Sequence, residues 1–131
     1  MKSYLLDTST IINYLRGVDK TVETINNIEG EFSSSHMCLS ELYEGIYRVK
    51  EQEKAEKIIT DFFRSLSKVY AIDEKIAKQF GEIRAHLKKT GNVLEDIDIF
   101  IAATCLVYGL TLITGNSKHF SRIKNLKILP G

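Results

Sequence analysis

Net charge is nearly absent from this chain of 131 residues: 18 Lys and Arg against 17 Asp and Glu leave +1 at pH 7. No global field therefore announces a nucleic acid or a membrane surface as partner. Cysteine is scarce as well. Cys38 and Cys105 lie far apart in no metal-like spacing, which excludes a disulfide scaffold and reads as two reduced, buried thiols of a cytoplasmic protein. Long apolar runs are missing. The longest, Ile99 to Ala103, falls far short of the roughly 20 residues that cross a bilayer, so no membrane association is expected. Asp7 interrupts the short apolar Tyr4-Leu5-Leu6, which removes a signal-peptide core. Proline occurs once, at Pro130, and there is no repeat, linker or low-complexity segment. What remains is an ordinary globular composition, 44% apolar and 27% charged, that fits one domain over residues 1–131. A chain of this size buries roughly two-thirds of the surface its unfolded form exposes, and needs no structural metal to fold.

Apolar periodicity alternates between strand and helix. Tyr4-Leu5-Leu6 predicts a short buried strand, and Thr8-Ser9 then opens a helix carrying Ile11, Ile12 and Leu15 up to Gly17. Val22, Ile25 and Ile28 suggest a second helix closing at Gly30, and Phe32 to Cys38 a second strand despite its serine triplet. Leu39, Leu42, Tyr43, Ile46 and Val49 recur at helical spacing; so do Ala55, Ile58, Ile59, Phe62, Phe63 and Leu66. Val69 to Ile72 is a third strand, followed by a helix with Ile76, Phe80, Ile83 and Leu87 inward and a stop at Thr90-Gly91-Asn92. From Ile97 to Tyr108 only Asp98 and Thr104 are polar, which predicts a helix buried nearly all round and ended by Gly109. Leu110 to Thr114 and Lys127 to Leu129 complete the strands. Strands alternating with helices give an α/β fold, a three-layer α/β/α sandwich around a central parallel sheet.

In such a sheet ligands bind beyond the carboxyl ends of the strands, and several acids fall there. Asp7 directly follows the first strand, Glu41 is placed in the first turn of the helix after the second, Asp96 and Asp98 open the buried helix, and Asn116 follows the fourth strand. Each has an ordinary structural explanation: a helix cap for Asp7 and for one of Asp96 and Asp98, the macrodipole for Glu41, a turn for Asn116. Asp98 fits such an explanation least well, because a carboxylate on a helix without an exposed face must be paired, hydrated or metal-bound. Converging carboxylates without a counter-cation repel one another. The nearest basic residues, Arg16 and Arg48, stand at least a full turn away. A divalent metal is the simpler neutraliser, and oxygen-only ligands select Mg²⁺ or Mn²⁺. An ion of that kind polarises phosphate and activates water, which is phosphodiester chemistry.

Leu-Asp-Thr-Ser-Thr-Ile-Ile (6–12), Leu-Ser-Glu-Leu-Tyr-Glu-Gly (39–45), Asp-Ile-Phe-Ile-Ala-Ala (98–103) and Leu-Ile-Thr-Gly-Asn-Ser-Lys-His-Phe (112–120) resemble, in order, the motifs of PIN domains. More narrowly they resemble VapC-type toxin ribonucleases of toxin–antitoxin pairs. The resemblance implies a PIN-like parallel sheet and Mg²⁺- or Mn²⁺-dependent endonucleolytic cleavage of RNA, tRNA or another structured RNA, leaving 5′-phosphate and 3′-hydroxyl ends. It assigns Asp7, Glu41 and Asp98 to the metal. Asn116 falls where many relatives carry a fourth aspartate, and Asp96 joins the pocket from the helix cap. Thr8, Ser9 and Thr114 match positions that support the acids or bound water. The alternative is a PIN-like module that binds RNA or protein without cutting. A phosphohydrolase with Asp7 as nucleophile would want a second aspartate two residues on, where Ser9 stands.

The resemblance also implies an antitoxin partner, bound between helices near residues 48–68, and a homodimer. Tyr43, Tyr47, Phe62 and Phe63 are the interface candidates. After Asp98 no acid follows, while Lys118, Arg122, Lys124 and Lys127 do, so this tail is a candidate for phosphate binding. His119 is expected on the surface and Phe120 in the core.

Overall fold

Short β-branched and aromatic runs become the strands of an all-parallel sheet in the computed structural model, which describes residues 2–131. They are β1 (Ser3–Leu6), β2 (Glu31–Ser35), β3 (Lys68–Tyr70), β4 (Thr111–Thr114) and β5 (Ile128–Pro130), in the spatial order β3-β2-β1-β4-β5. The helices are α1 (Thr8–Leu15), α2 (Asp19–Asn26), α3 (His36–Ile46), α4 (Gln52–Ser65), α5 (Glu74–Thr90), α6 (Asp96–Tyr108) and the single turn α7 (Ser117–Phe120). Strand alternation sorts the core into two halves. Tyr4, Leu6 and Ile113 pack against Ile11, Ile25, Leu42, Ile46, Ile59 and Phe63 of α1–α4. Leu5 and Leu112 face Ile76, Ile83 and Leu87 of α5 and the apolar body of α6 on the other side. This is the three-layer sandwich with a parallel core that the periodicity predicts.

Strand order positions everything that follows. The chain builds outward from β1 through β2 to β3, then crosses back to β4 and β5 on the other flank. The crevice between the carboxyl ends of β1 and β4 is therefore the topological switch point.

Several local expectations shift for identifiable reasons. The second strand stops at Ser35 rather than Cys38, because the Ser35 hydroxyl caps α3 by accepting the Cys38 N–H at 3.2 Å. The serine triplet tolerates burial because Ser33 donates to the Tyr4 carbonyl at 2.7 Å and Ser34 to that of Leu6 at 2.9 Å. Gly30 does not close α2, which ends at Asn26. Instead it lies so close to β1 that a Cβ would stand 2.6 Å from the Lys2 carbonyl oxygen. Gly109 does end α6, in the left-handed region at φ 67°, where a side chain would be strained. Ile58 is 47% exposed. It lies about 100° around α4 from the buried Ile59, and the two cannot face the sheet together. Pro130 is part of β5, an edge strand, where its missing N–H costs nothing.

Candidate active site

Asp7 begins where β1 ends. Leu6 pairs with Ile113 across the β1–β4 ladder, so the next residues, Asp7 and Thr114, meet at the sheet's carboxyl edge. Asp7 caps α1, with Oδ1 accepting the Thr10 N–H at 2.9 Å and the Ser9 hydroxyl at 3.1 Å. Its Oδ2 accepts from the Thr114 hydroxyl, which in turn accepts the Asn116 N–H at 3.0 Å. Asp7 is only 5% exposed, so cap and candidate ligand are the same side chain, held in one orientation by three donors. The supporting positions Ser9 and Thr114 both act on Asp7 directly.

Glu41 sits in the second turn of α3, not the first, because that helix starts at His36. The macrodipole therefore gives little reason for an acid there, since its effect falls off within the first turn. Thr8, the first residue of α1, donates its hydroxyl to Glu41 Oε1 at 2.6 Å and ties the two helix starts together.

Asp98 is the third residue of α6 and is half-buried. Burial foremost pushes its carboxyl above the ordinary range; the charges of Glu95 and Asp7 push it further, and His119 opposes them. The charge of Asp7 thus reaches Asp98 across the crevice. The His119 Nε2–Asp98 Oδ2 distance is 2.9 Å. His119 is therefore not a free surface residue as expected. The buried Phe120 anchors α7 and presents the preceding imidazole to the acid.

Asp96 does not join this group. It is the first helical residue of α6, with Glu95 as the cap, and two helical steps turn it about 200° from Asp98. Its carboxylate pairs instead with Arg84 of α5 at 3.3 Å, largely in solvent. Glu95, which sequence reasoning passed over, is a second acid besides Asp7 whose charge reaches Asp98. The signal was available: Glu95 lies three residues before Asp98, on the same side of the helix start. Asn116 is exposed at the start of α7 and makes no side-chain cap bond. With Ser117, Lys118, His119 and Arg122 it lines a crevice of about 510 Å³.

Among the described residues no three His, Cys, Asp or Glu side chains are close enough to hold an ion unaided. The expected cage of Asp7, Glu41 and Asp98 is thus not closed. Each acid takes a nearby donor of its own. The donor set nonetheless suits a hard ion. Neither Asp7 nor Asp98 pairs with Lys or Arg among the described residues, and Mg²⁺ uses one or two carboxylates while keeping several waters.

Three comparisons bear on this geometry. The PIN domain family model matches residues 4–126. The chain is 32% identical over 120 residues to Ribonuclease VapC1 of Methanocaldococcus jannaschii, covering 92% of this chain and 80% of the relative. It is 31% identical over 128 residues to Ribonuclease VapC2 of Haemophilus influenzae, covering 97% and 96%. Among solved structures, DNA-bound VapBC from Salmonella typhimurium superposes with a TM-score of 0.88 at 28% identity, covering 99% of this chain and 98% of that one.

Proposed function

Since the chain belongs to the PIN-domain family and within it to the VapC ribonucleases, the toxins of toxin–antitoxin systems, we propose that it is a metal-dependent endoribonuclease of structured RNA such as tRNA. The observation that carries the reading is that Asp7, fixed by three donors at the carboxyl end of β1, and the half-buried Asp98 have no Lys or Arg partner among the described residues. Asp7 and Asp98 would hold Mg²⁺ or Mn²⁺, with Glu41 reaching it through water. The bound ion supplies a positive charge for the scissile phosphate and lowers the pKa of water.

The chain's own residues do the positioning. Ser9, Thr10 and Thr114 fix both oxygens of Asp7, so no side-chain rotation is lost when the site fills. His119 orients Asp98 in the same way through one oxygen. Thr8 fixes one oxygen of Glu41. The exposed Asn116 adds an amide where an acid would add charge, which suits one firmly held ion rather than two.

The partner side of the proposal is an antitoxin covering the α3–α4 pair. Tyr47, Val49 and Ile58 are exposed apolar side chains there. Phe63 is instead a core residue and Phe62 is half-buried against Tyr14, so those two leave the list of contact candidates. A homodimer and a cytoplasmic site of action complete the reading; among the described residues no helix is long and apolar enough to cross a membrane.

A second reading, a module that binds RNA or protein without cutting, is favoured by the open carboxylate cage and by Asn116. Titrating Mn²⁺ while following thermal unfolding and RNA cleavage separates the two. The nuclease reading expects a rise in melting temperature and cleavage, both lost in Asp98→Asn. A melting temperature indifferent to Mn²⁺, with RNA left whole, leaves the binding module.

A further inference from the structure

The cations that follow Asp98 border a second concavity, away from the acids. A groove of about 750 Å³ opens between α5 and segment 122–127, a volume typical of ligand sites. Ile83, Leu87 and Ile123 reach its base from the core, where they are buried, and the exposed Arg122, Lys124 and Lys127 line it. Among the described residues the only acid lining it is Glu82.

Those cations differ from six others in the molecule. Arg48, Lys54, Lys57, Arg64, Lys78 and Arg84 are each within ion-pair distance of an acid. Among the described residues Arg122, Lys124 and Lys127 make no such pair, and all three are exposed. The groove therefore presents uncompensated positive charge. A single RNA strand matches that charge through its phosphates.

Location selects RNA over an acidic protein segment. Arg122 lines this groove and also the crevice shared by Asn116 and His119. Its Nη1 donates to the Val93 carbonyl at 3.1 Å, which holds the guanidinium at the junction of the two. A strand leaving the Asp7–Asp98 edge over α7 meets Arg122 and then Lys124 and Lys127.

We propose that this groove is a subsite for single-stranded RNA flanking the scissile phosphate; the inference rests on the ribonuclease reading for its substrate, but its test does not. Binding of a labelled single-stranded oligoribonucleotide is measured by fluorescence anisotropy in EDTA, for wild type and for the double variant Lys124→Ser, Lys127→Ser. Losing two phosphate contacts lowers the salt slope by about 1.4 and weakens binding about 25-fold at 0.1 M salt. With metal restored, the same variant raises KM for long RNA and leaves kcat intact. Equal affinity and slope in the two proteins overturn the proposal while leaving cleavage untouched. Displacement of the RNA by poly-glutamate of matched charge, at equal concentration, overturns the choice of RNA over an acidic segment. If the variant loses binding but the wild type never cleaves, the subsite stands and the nuclease reading falls.

Discussion

Replacing Asp7 by Ala and by Asn separates the two jobs that one carboxylate performs. In Asp7→Ala, α1 loses its cap, and the Thr10 N–H, buried with a residue 1% exposed, loses its acceptor. Such a cap is worth about 1 kcal/mol. The Thr114 hydroxyl, 0% exposed, also loses the oxygen it donates to, at about 1–3 kcal/mol. Together the cost is about 2–4 kcal/mol. With an unfolding entropy of about 2.1 cal/mol/K per residue, a chain of this length melts roughly 7–14 °C lower. Asn keeps Oδ1 for Thr10 and offers an amide N–H to the Thr114 oxygen, so only the Thr114 hydroxyl proton loses its acceptor, at about 1 kcal/mol. It also removes the charge that Asp98 feels. Asp7→Asn should therefore melt within about 4 °C of wild type. Chemically the two variants are alike, since neither offers a second anionic oxygen; both should lose about 10²–10³-fold in metal-dependent RNA cleavage, the equivalent of several kcal/mol of charge stabilisation. Circular dichroism melts and a gel-based cleavage assay read the two quantities. Asn melting as low as Ala would refute the hydrogen-bond account, and Asn cleaving within tenfold of wild type would refute the chemical one.

Four further outcomes are expected. His119→Ala, by freeing Asp98, should raise the Mn²⁺ concentration needed for thermal stabilisation about 10–100-fold, and His119→Gln, which retains a donor, should recover most of it; an unchanged midpoint in the Ala variant would show that the 2.9 Å contact is incidental. Burial pushes both the Cys38 and Cys105 thiols up, so a disulfide-exchange reagent at pH 8 should label neither in the native protein and both after denaturation. Tyr108 donates to Asp73 and, more than the Ile76 N–H, holds that carboxyl below the ordinary aspartate value. A depressed folded pKa contributes stability above the unfolded value, near 3.9, and loses it as pH falls through the folded one; Tyr108→Phe should thus melt slightly lower at pH 7, with the gap closing on titration towards pH 3, and a constant gap would contradict the linkage. Ser34→Ala deletes the 2.9 Å bond to the Leu6 carbonyl and should cost about 1 kcal/mol in denaturant titrations, without altering cleavage.

Much of the candidate site was legible because parallel sheets leave one signature: a polar residue directly after an apolar run. Asp7 after Tyr4-Leu5-Leu6 and Thr114-Gly115-Asn116 after Leu110 to Ile113 sit at strand ends for that reason alone. Asp98 was conspicuous because its helix carries so little else that is polar. What misled was phase. Asp96 can join Asp98 only from a non-helical cap, but the helix starts at Asp96 and sends the two to opposite sides, one to Arg84 and one to His119. Glu41 changed turns because Ser35, not Cys38, is where β2 gives way to α3.

Local pattern, then, determined the kinds and succession of elements and the acids that end them, since helix and strand periods are properties of neighbouring residues. Only the tertiary structure decided that β4 lies beside β1, bringing Thr114 to Asp7 across 107 positions of chain. It likewise decided that a histidine on a single helical turn reaches Asp98. Those contacts join segments whose separation in sequence carries no periodic signal; they exist because burying both faces of one sheet leaves a single place for each strand end to arrive.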